Sequence, residues 1–151
     1  MGHEELLIEA WRRYRTPLAV TEVHLGCTPD QQIRWLAEAH SGALAAREAG
    51  ADVRAITLWA LFGSHDWDSL VTEVRGTYEP GVFDVRLGSP RWTEFSHAVR
   101  ALVSSGTFPV PAHGRWWRRA DRLIHAAVDR RSGLSLVPPI TPSASERLAG
   151  Y

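Results

Sequence analysis

Cysteine is almost missing from this chain: its 151 residues include only Cys27. One thiol excludes an internal disulfide framework and fits a reducing compartment. Cys27 follows Gly26 with no activating pattern beside it, so it reads as structural rather than as a nucleophile. A net charge is missing as well, with 17 basic residues against 17 acidic ones. No global field therefore draws the chain to nucleic acid or an anionic membrane. No apolar run approaches the roughly 18 residues that a membrane span requires. The N-terminus is acidic and does not read as a signal peptide. The expectation is a cytoplasmic protein.

The apolar fraction, 44%, is enough for a real core, and the length is that of one ordinary domain. Seven tryptophans and an arginine-dominated set of cations bias the composition without naming a function.

The chain opens with a predicted helix over residues 4–15, where Leu7, Ala10, Trp11 and Tyr14 recur at helical spacing. Arg12, Arg13 and Arg15 in its last turn favour the dipole, and Thr16-Pro17 stops it. Leu18 to Thr21 then reads as a short strand with no polar alternation, expected to be covered on both faces, and it runs into Glu22. Thr28 is a predicted N-cap, with Pro29 at the first helical position and Gln31 completing a capping box. Ile33, Leu36, Ala37, His40 and Leu44 form the expected inner face, and Gly50 the stop. Val53 to Trp59 is a second apolar, β-branched run. Gly63, Ser64, His65 and Asp66 follow it as a loop.

Strand, helix and strand with short connectors make a β-α-β unit, a parallel pair with a right-handed crossover. Both strands then end on one rim. Glu22 closes the first and Trp59 the second, with His65, Asp66 and Trp67 in the next loop. Neighbouring strands lie roughly 5 Å apart, so these groups can line one pocket. The bland alternative makes Trp59 core, the loop an ordinary turn, and Glu22 and His65 rim residues in a salt-bridged lid.

Val71 to Arg86, with Arg75-Gly76 and Glu79-Pro80-Gly81 as turn signals, reads as an irregular hairpin or long loop on that rim. Ser89-Pro90 is expected to start a last helix with Trp92, Phe95, Val99 and Leu102 inward, ended by Gly106. From Thr107 prolines break the pattern, so residues 1–106 form the predicted domain and 107–151 a proline-interrupted tail, mobile from residue 132. Arg115-Trp116-Trp117-Arg118-Arg119 is basic and aromatic, as an RNA-binding segment would be. Packing of the tail is the preferred reading, because charge elsewhere is neutral.

Two motifs carry a resemblance to the C-terminal part of a family 1 glycoside hydrolase, the β-glucosidase-type barrel. Pro17-Leu-Ala-Val-Thr-Glu22 resembles the seventh strand of that family, which ends Thr-Glu-Asn-Gly with the glutamate as nucleophile. Trp59-Ala-Leu-Phe-Gly-Ser-His-Asp-Trp67 resembles the eighth-strand motif Trp-Ser-Leu-Leu-Asp-Asn-Phe-Glu-Trp in the same register. One capped helix separates the two, and Tyr78-Glu-Pro-Gly-Val-Phe-Asp-Val85 precedes a closing helix, as in the family. The resemblance implies an α/β fold: the C-terminal portion of a (β/α)₈ TIM barrel, about two βα units with an irregular tail.

By position it implies Glu22 as catalytic nucleophile, and Trp59, His65, Asp66 and Trp67 as substrate-binding residues. The implied chemistry is hydrolysis of O-glycosyl bonds with retention, without cofactor or metal. It needs an acid about 5.5 Å from the nucleophile.

There are departures. Val23 stands where the family has asparagine, and Asp66 is one methylene shorter than the family's glutamate. The Asn-Glu-Pro motif that supplies the acid/base is absent, and a full barrel needs at least ~200 residues. The chain is therefore expected to be inactive alone. Its expected partners are a carbohydrate or glycoside and a barrel-completing segment or further copies of itself, with no nucleic acid and no membrane. The alternative is a non-catalytic remnant that binds sugar or protein. His113-Gly-Arg-Trp-Trp-Arg-Arg-Ala-Asp-Arg-Leu-Ile124 is similar to the junction at which such barrels are fused to a reductase resembling dTDP-4-dehydrorhamnose reductase. No nucleotide-binding Gly-x-Gly-x-x-Gly accompanies it.

Overall fold

The computed structural model describes residues 2–112, Trp117, and the short pairs Val128–Asp129 and Leu134–Ser135. The chain divides into two compact units, Met1–Gly114 and Arg115–Tyr151. In the second, β5 (Val128–Asp129) pairs antiparallel with β6 (Leu134–Ser135). Most of the basic-aromatic segment and the tail from residue 136 lie outside the described residues.

The first unit runs α1 (His3–Tyr14), β1 (Leu18–Val23), α2 (Pro29–Glu48), β2 (Val53–Leu58), β3 (Ser64–His65), β4 (Tyr78–Glu79) and α3 (Glu94–Ser105). It is a mixed α/β fold around a two-stranded parallel sheet, β1 beside β2. Parallel pairing follows from the crossover through α2, which returns the chain to the end where β1 began. The unit continues past Gly106 to Gly114, because Phe108 packs against the core and edges the His40 ring at 6.5 Å.

α2 lies between two layers. Ile33, Leu36 and Ala39 pack with Val23, Val82, Phe95 and Ala98, while Ala43 and Ala46 pack with Ala51 and Val53. Leu7, Ile8 and Trp11 bring α1 against the second cluster. Leu36, 1% exposed, contributes about 2 kcal/mol by burial alone.

The buried face of α2 is thus rotated from the expected one. Leu44 is 43% exposed, and the small residues Ala39, Gly42, Ala43 and Ala46 face inward instead. The cause is close approach of α1: a Cβ on Gly42 would stand 2.8 Å from His3 Cβ and 2.9 Å from the Glu4 nitrogen. Bulky apolar residues cannot occupy that seam, so hydrophobicity alone misjudges it.

Two capping expectations are also corrected. Thr28 is the N-cap and Pro29 follows it, but the Thr28 side chain makes no cap bond. The N–H of Gln31 goes to the Thr28 carbonyl at 3.0 Å instead, which leaves a capping box nothing to bind. α3 starts at Glu94 rather than at Ser89-Pro90, since Arg91 is held in an antiparallel bridge to Asp84. Thr93 is its cap: Thr93 Oγ1 accepts from Ser96 N at 3.1 Å, and Thr93 N donates to Ser96 Oγ at 2.7 Å. Trp92 consequently lies before the helix and is 52% exposed, whereas Phe95, Val99 and Leu102 face the core. Gly106 ends the helix at φ 75°.

The sheet is covered on one face only, against expectation. Leu18, Val20, Ile56 and Leu58 pack beneath α2, while Ala19, Thr21, Ala55 and Thr57 are exposed on the other face. An apolar, β-branched run describes a strand without saying how many layers the chain supplies to cover it.

Candidate functional site

The C-terminal rim of the sheet is where regular alternation fails. Register between β1 and β2 shifts from Val20↔Ile56 to Val23↔Leu58, and Glu22 within the shift adopts φ 57°. Simple alternation would aim Glu22 at α2 and Val23 outward. The bulge reverses this: Val23 is buried at 5% and Glu22 is exposed. A non-glycine residue in the left-handed region costs about 1 kcal/mol or more and persists only where its surroundings hold it. Trp59 N donates to the Val23 carbonyl at 3.3 Å, tying the end of β2 to the residue after Glu22. The expected convergence of these two strand ends is present.

Beyond Trp59, whose peptide bond to Ala60 is cis, the chain forms a hairpin. Ser64 pairs with Glu79 and His65 with Tyr78, antiparallel, and a 3₁₀ turn over Trp67–Ser69 lies in the connecting loop. This loop folds the Trp67 ring onto Trp59, centroids 5.5 Å apart and planes at 40°. Two indoles form a continuous apolar surface on one side of the rim. His65 is exposed and its ring lies 5.0 Å from that of Tyr78 rather than in the Trp59 pair.

Asp66 is 8% exposed, and its Oδ1 accepts from Arg75 N and Thr77 N, both at 3.0 Å. It organises a loop that is conformationally costly, with Asp66, Leu70 and Val71 at φ 58°, 51° and 57°. A β-branched residue such as Val71 rarely tolerates that region, so the carboxylate holds a backbone that would otherwise relax. The structure therefore unites Trp59 with Trp67 and ties the backbone of Trp59 to the residue after Glu22. It commits an oxygen of Asp66 to the loop.

Sequence reasoning passes over two features. His24 is the first: its Nδ1 lies 2.9 Å from the Trp59 carbonyl oxygen and its Nε2 2.5 Å from Glu79 Oε1. A lone histidine after a strand carries no pattern, and its partner stands 55 residues away. The second is a cleft of about 420 Å³ at the N-terminus of α2, lined by Cys27, Thr28, Gln32, Tyr78, Asp84 and Arg86 among others. Its volume lies within the range of small-molecule sites, yet none of Glu22, Trp59, His65, Asp66 or Trp67 lines it.

Several polar groups of this cleft are already engaged, whereas Gln32 Oε1 is buried without a hydrogen-bond partner. Asp84 receives Arg86 Nη2 at 2.9 Å and Arg91 Nη2 at 2.5 Å; the hydrogen bonds from Arg86 hold its carboxyl well below the usual carboxylate range. Burial pushes the Cys27 thiol up to about 11, outweighing the Arg34 cation, so the thiol is protonated at neutral pH and no nucleophile. Gln32 Nε2 donates to the Pro80 carbonyl at 3.0 Å and ties the turn after β4 to α2.

Among the described residues, no group of histidine, cysteine, aspartate or glutamate side chains could hold a metal ion. Nor is any described helix long and apolar enough to cross a membrane. No protein-family model matches the chain, and no curated protein matches it.

Proposed function

We propose that this chain is the C-terminal portion of a retaining β-glycosidase-like (β/α)₈ barrel, supplying the nucleophile and the indole floor of a sugar site. Glu22 would attack the anomeric carbon. Trp59 and Trp67 would pack against the C–H face of the glycone, with Asp66 and His65 at its hydroxyls. The observation that carries this reading is the strained Glu22: the bulge turns a carboxylate out of the core at a strand end, beside the strand that delivers the indole pair. A strand end is a stiff mount, as a nucleophile requires.

Completion by other barrel segments, or by further copies of the chain, is part of the proposal. The open sheet face and the two strand edges that have no strand partner among the described residues favour it. So do Leu61, Phe62, Leu70 and Val71, each between 47% and 71% exposed on the rim loop. The general acid would come from the completing segment.

A 2,4-dinitrophenyl 2-deoxy-2-fluoro-β-glycoside tests the assignment without that acid, because dinitrophenolate leaves unprotonated. The Glu22 oxygen bonds to the anomeric carbon as the aryloxide departs. The expected result is a glycosyl mass increase located to Glu22 and absent in Glu22→Gln. No increase with the completing segments supplied overturns the catalytic role.

A second reading, a non-catalytic sugar- or protein-binding remnant, is favoured by the commitment of Asp66 to Arg75 and Thr77. It predicts glucoside binding that depends on Trp59 and Trp67 but survives Glu22→Gln.

A further inference from the structure

One imidazole joins the three segments that carry the rim. His24 sits two residues past Glu22, just beyond β1. Its Nδ1 meets the carbonyl of Trp59, and its Nε2 meets Glu79 on β4, whose partner strand holds His65. Both side chains are largely enclosed, 17% and 23% exposed. A carbonyl oxygen and a carboxylate oxygen both accept, so a neutral ring could satisfy only one of them. The geometry requires one additional proton, lying between Nε2 and Oε1, which makes that contact a short charge-assisted bond. Gly26 makes room for it: a Cβ there would stand 3.0 Å from Glu79 Oε1. The small pocket beside His24 is lined by Val23, Leu25, Gln32, Trp35, Trp59 and Phe95.

We propose that His24 is a positioning residue of the sugar half-site, a clasp that fixes Trp59 and the β3–β4 hairpin in one arrangement through Glu79. Its purpose rests on the glycosidase reading, but its geometry does not. The clasp acts on the indole pair, because it holds the backbone of Trp59 and the hairpin whose loop presents Trp67.

The pair itself supplies the readout. Indoles 5.5 Å apart couple as excitons, and the full-length chain should give a far-ultraviolet couplet that disappears in Trp67→Phe. His24→Ala should lose most of that couplet. Gly26→Ala should weaken it without touching the histidine. Val99→Ala, a core truncation in α3, should keep it at comparable loss of stability. Glu79→Gln is the decisive variant: an amide can donate to a neutral ring, so the couplet should persist.

A couplet unchanged in His24→Ala, or lost equally in Glu79→Gln, overturns the clasp. Absence of a couplet in the wild type overturns it too, since the pair would not exist as arranged. Titration with 4-nitrophenyl β-glucoside is a separate arm. No binding by a chain whose couplet responds as expected removes the sugar reading and leaves the clasp standing.

Discussion

The two faces of the β1–β2 pair differ sharply in what covers them. Beneath α2, Leu18, Val20, Ile56 and Leu58 meet a helix that is itself wedged by α1 and α3. On the opposite face, Ala19, Thr21, Ala55 and Thr57 stand exposed. The covered face is bulky and apolar; the open one is made of small residues, with the carboxylate of Glu22 turned out at its end. A sheet evolved to face water on one side usually carries charged or strongly polar residues there. Small residues leave room for other strands or a ligand to pack close. That contrast supports the partial-barrel reading independently of any motif, and each prediction below tests one side of it.

The largest effect belongs to the covered face. Leu36 is 1% exposed at the centre of the main cluster, so Leu36→Ala should cost about 3 kcal/mol, read as a lower urea midpoint with unchanged slope. A loss under ~1 kcal/mol would mean that the cluster is loosely packed and the contrast overstated. Next is the α1–α2 seam. Gly42→Val forces a branched side chain onto His3 and Glu4 and should cost about 2 kcal/mol, with α1 separating before the sheet melts. Faster amide exchange across residues 3–14 would report that order.

That seam also explains what could and could not be read from the chain. The β-α-β unit was legible because strand and helix periods differ, and the punctuation at Thr28-Pro29 and Gly50 brackets α2 correctly. Its inner face was not, because hydrophobicity selects Leu44 whereas close packing selects Gly42 and Ala46. The strand ends at Glu22 and Trp59 were legible, because an apolar run stops at each of them. The strain at Glu22, the loop-holding use of Asp66 and the His24–Glu79 contact were not. Each depends on backbone geometry or on a partner far along the chain. α3 was displaced because Ser89-Pro90 and Thr93 offer equally good starts, and only the Asp84–Arg91 bridge decides between them.

A smaller effect follows from acid. Burial lowers the His3 titration below its ordinary value near 6.5, with Glu38 opposing the shift only in part. The unfolded chain then binds this proton more readily than the folded one, so His3 contributes fully above about 6.5 and destabilises as pH falls through its folded value. His3 edges the Trp35 ring at 5.1 Å, so the loss should appear at the α1–α2 seam. His3→Gln should flatten this part of the stability profile between neutral and mildly acidic pH. An unchanged profile would show that the seam admits the charged ring.

The smallest effect on stability is the most informative about the open face. Ala55→Glu places a charge where the first unit packs nothing, so unfolding of the isolated chain should shift by less than ~0.5 kcal/mol. The same charge would be costly against another layer of strands, because a buried unpaired carboxylate is strongly disfavoured. Sedimentation should therefore find Ala55→Glu as stable as the parent but unable to associate with itself or with barrel-completing segments, and glycosyl labelling at Glu22 should be lost with that association. If instead the isolated variant unfolds readily, the face is already covered in solution. If association and labelling both survive, the face is bare by design and the sheet is no part of a closed barrel.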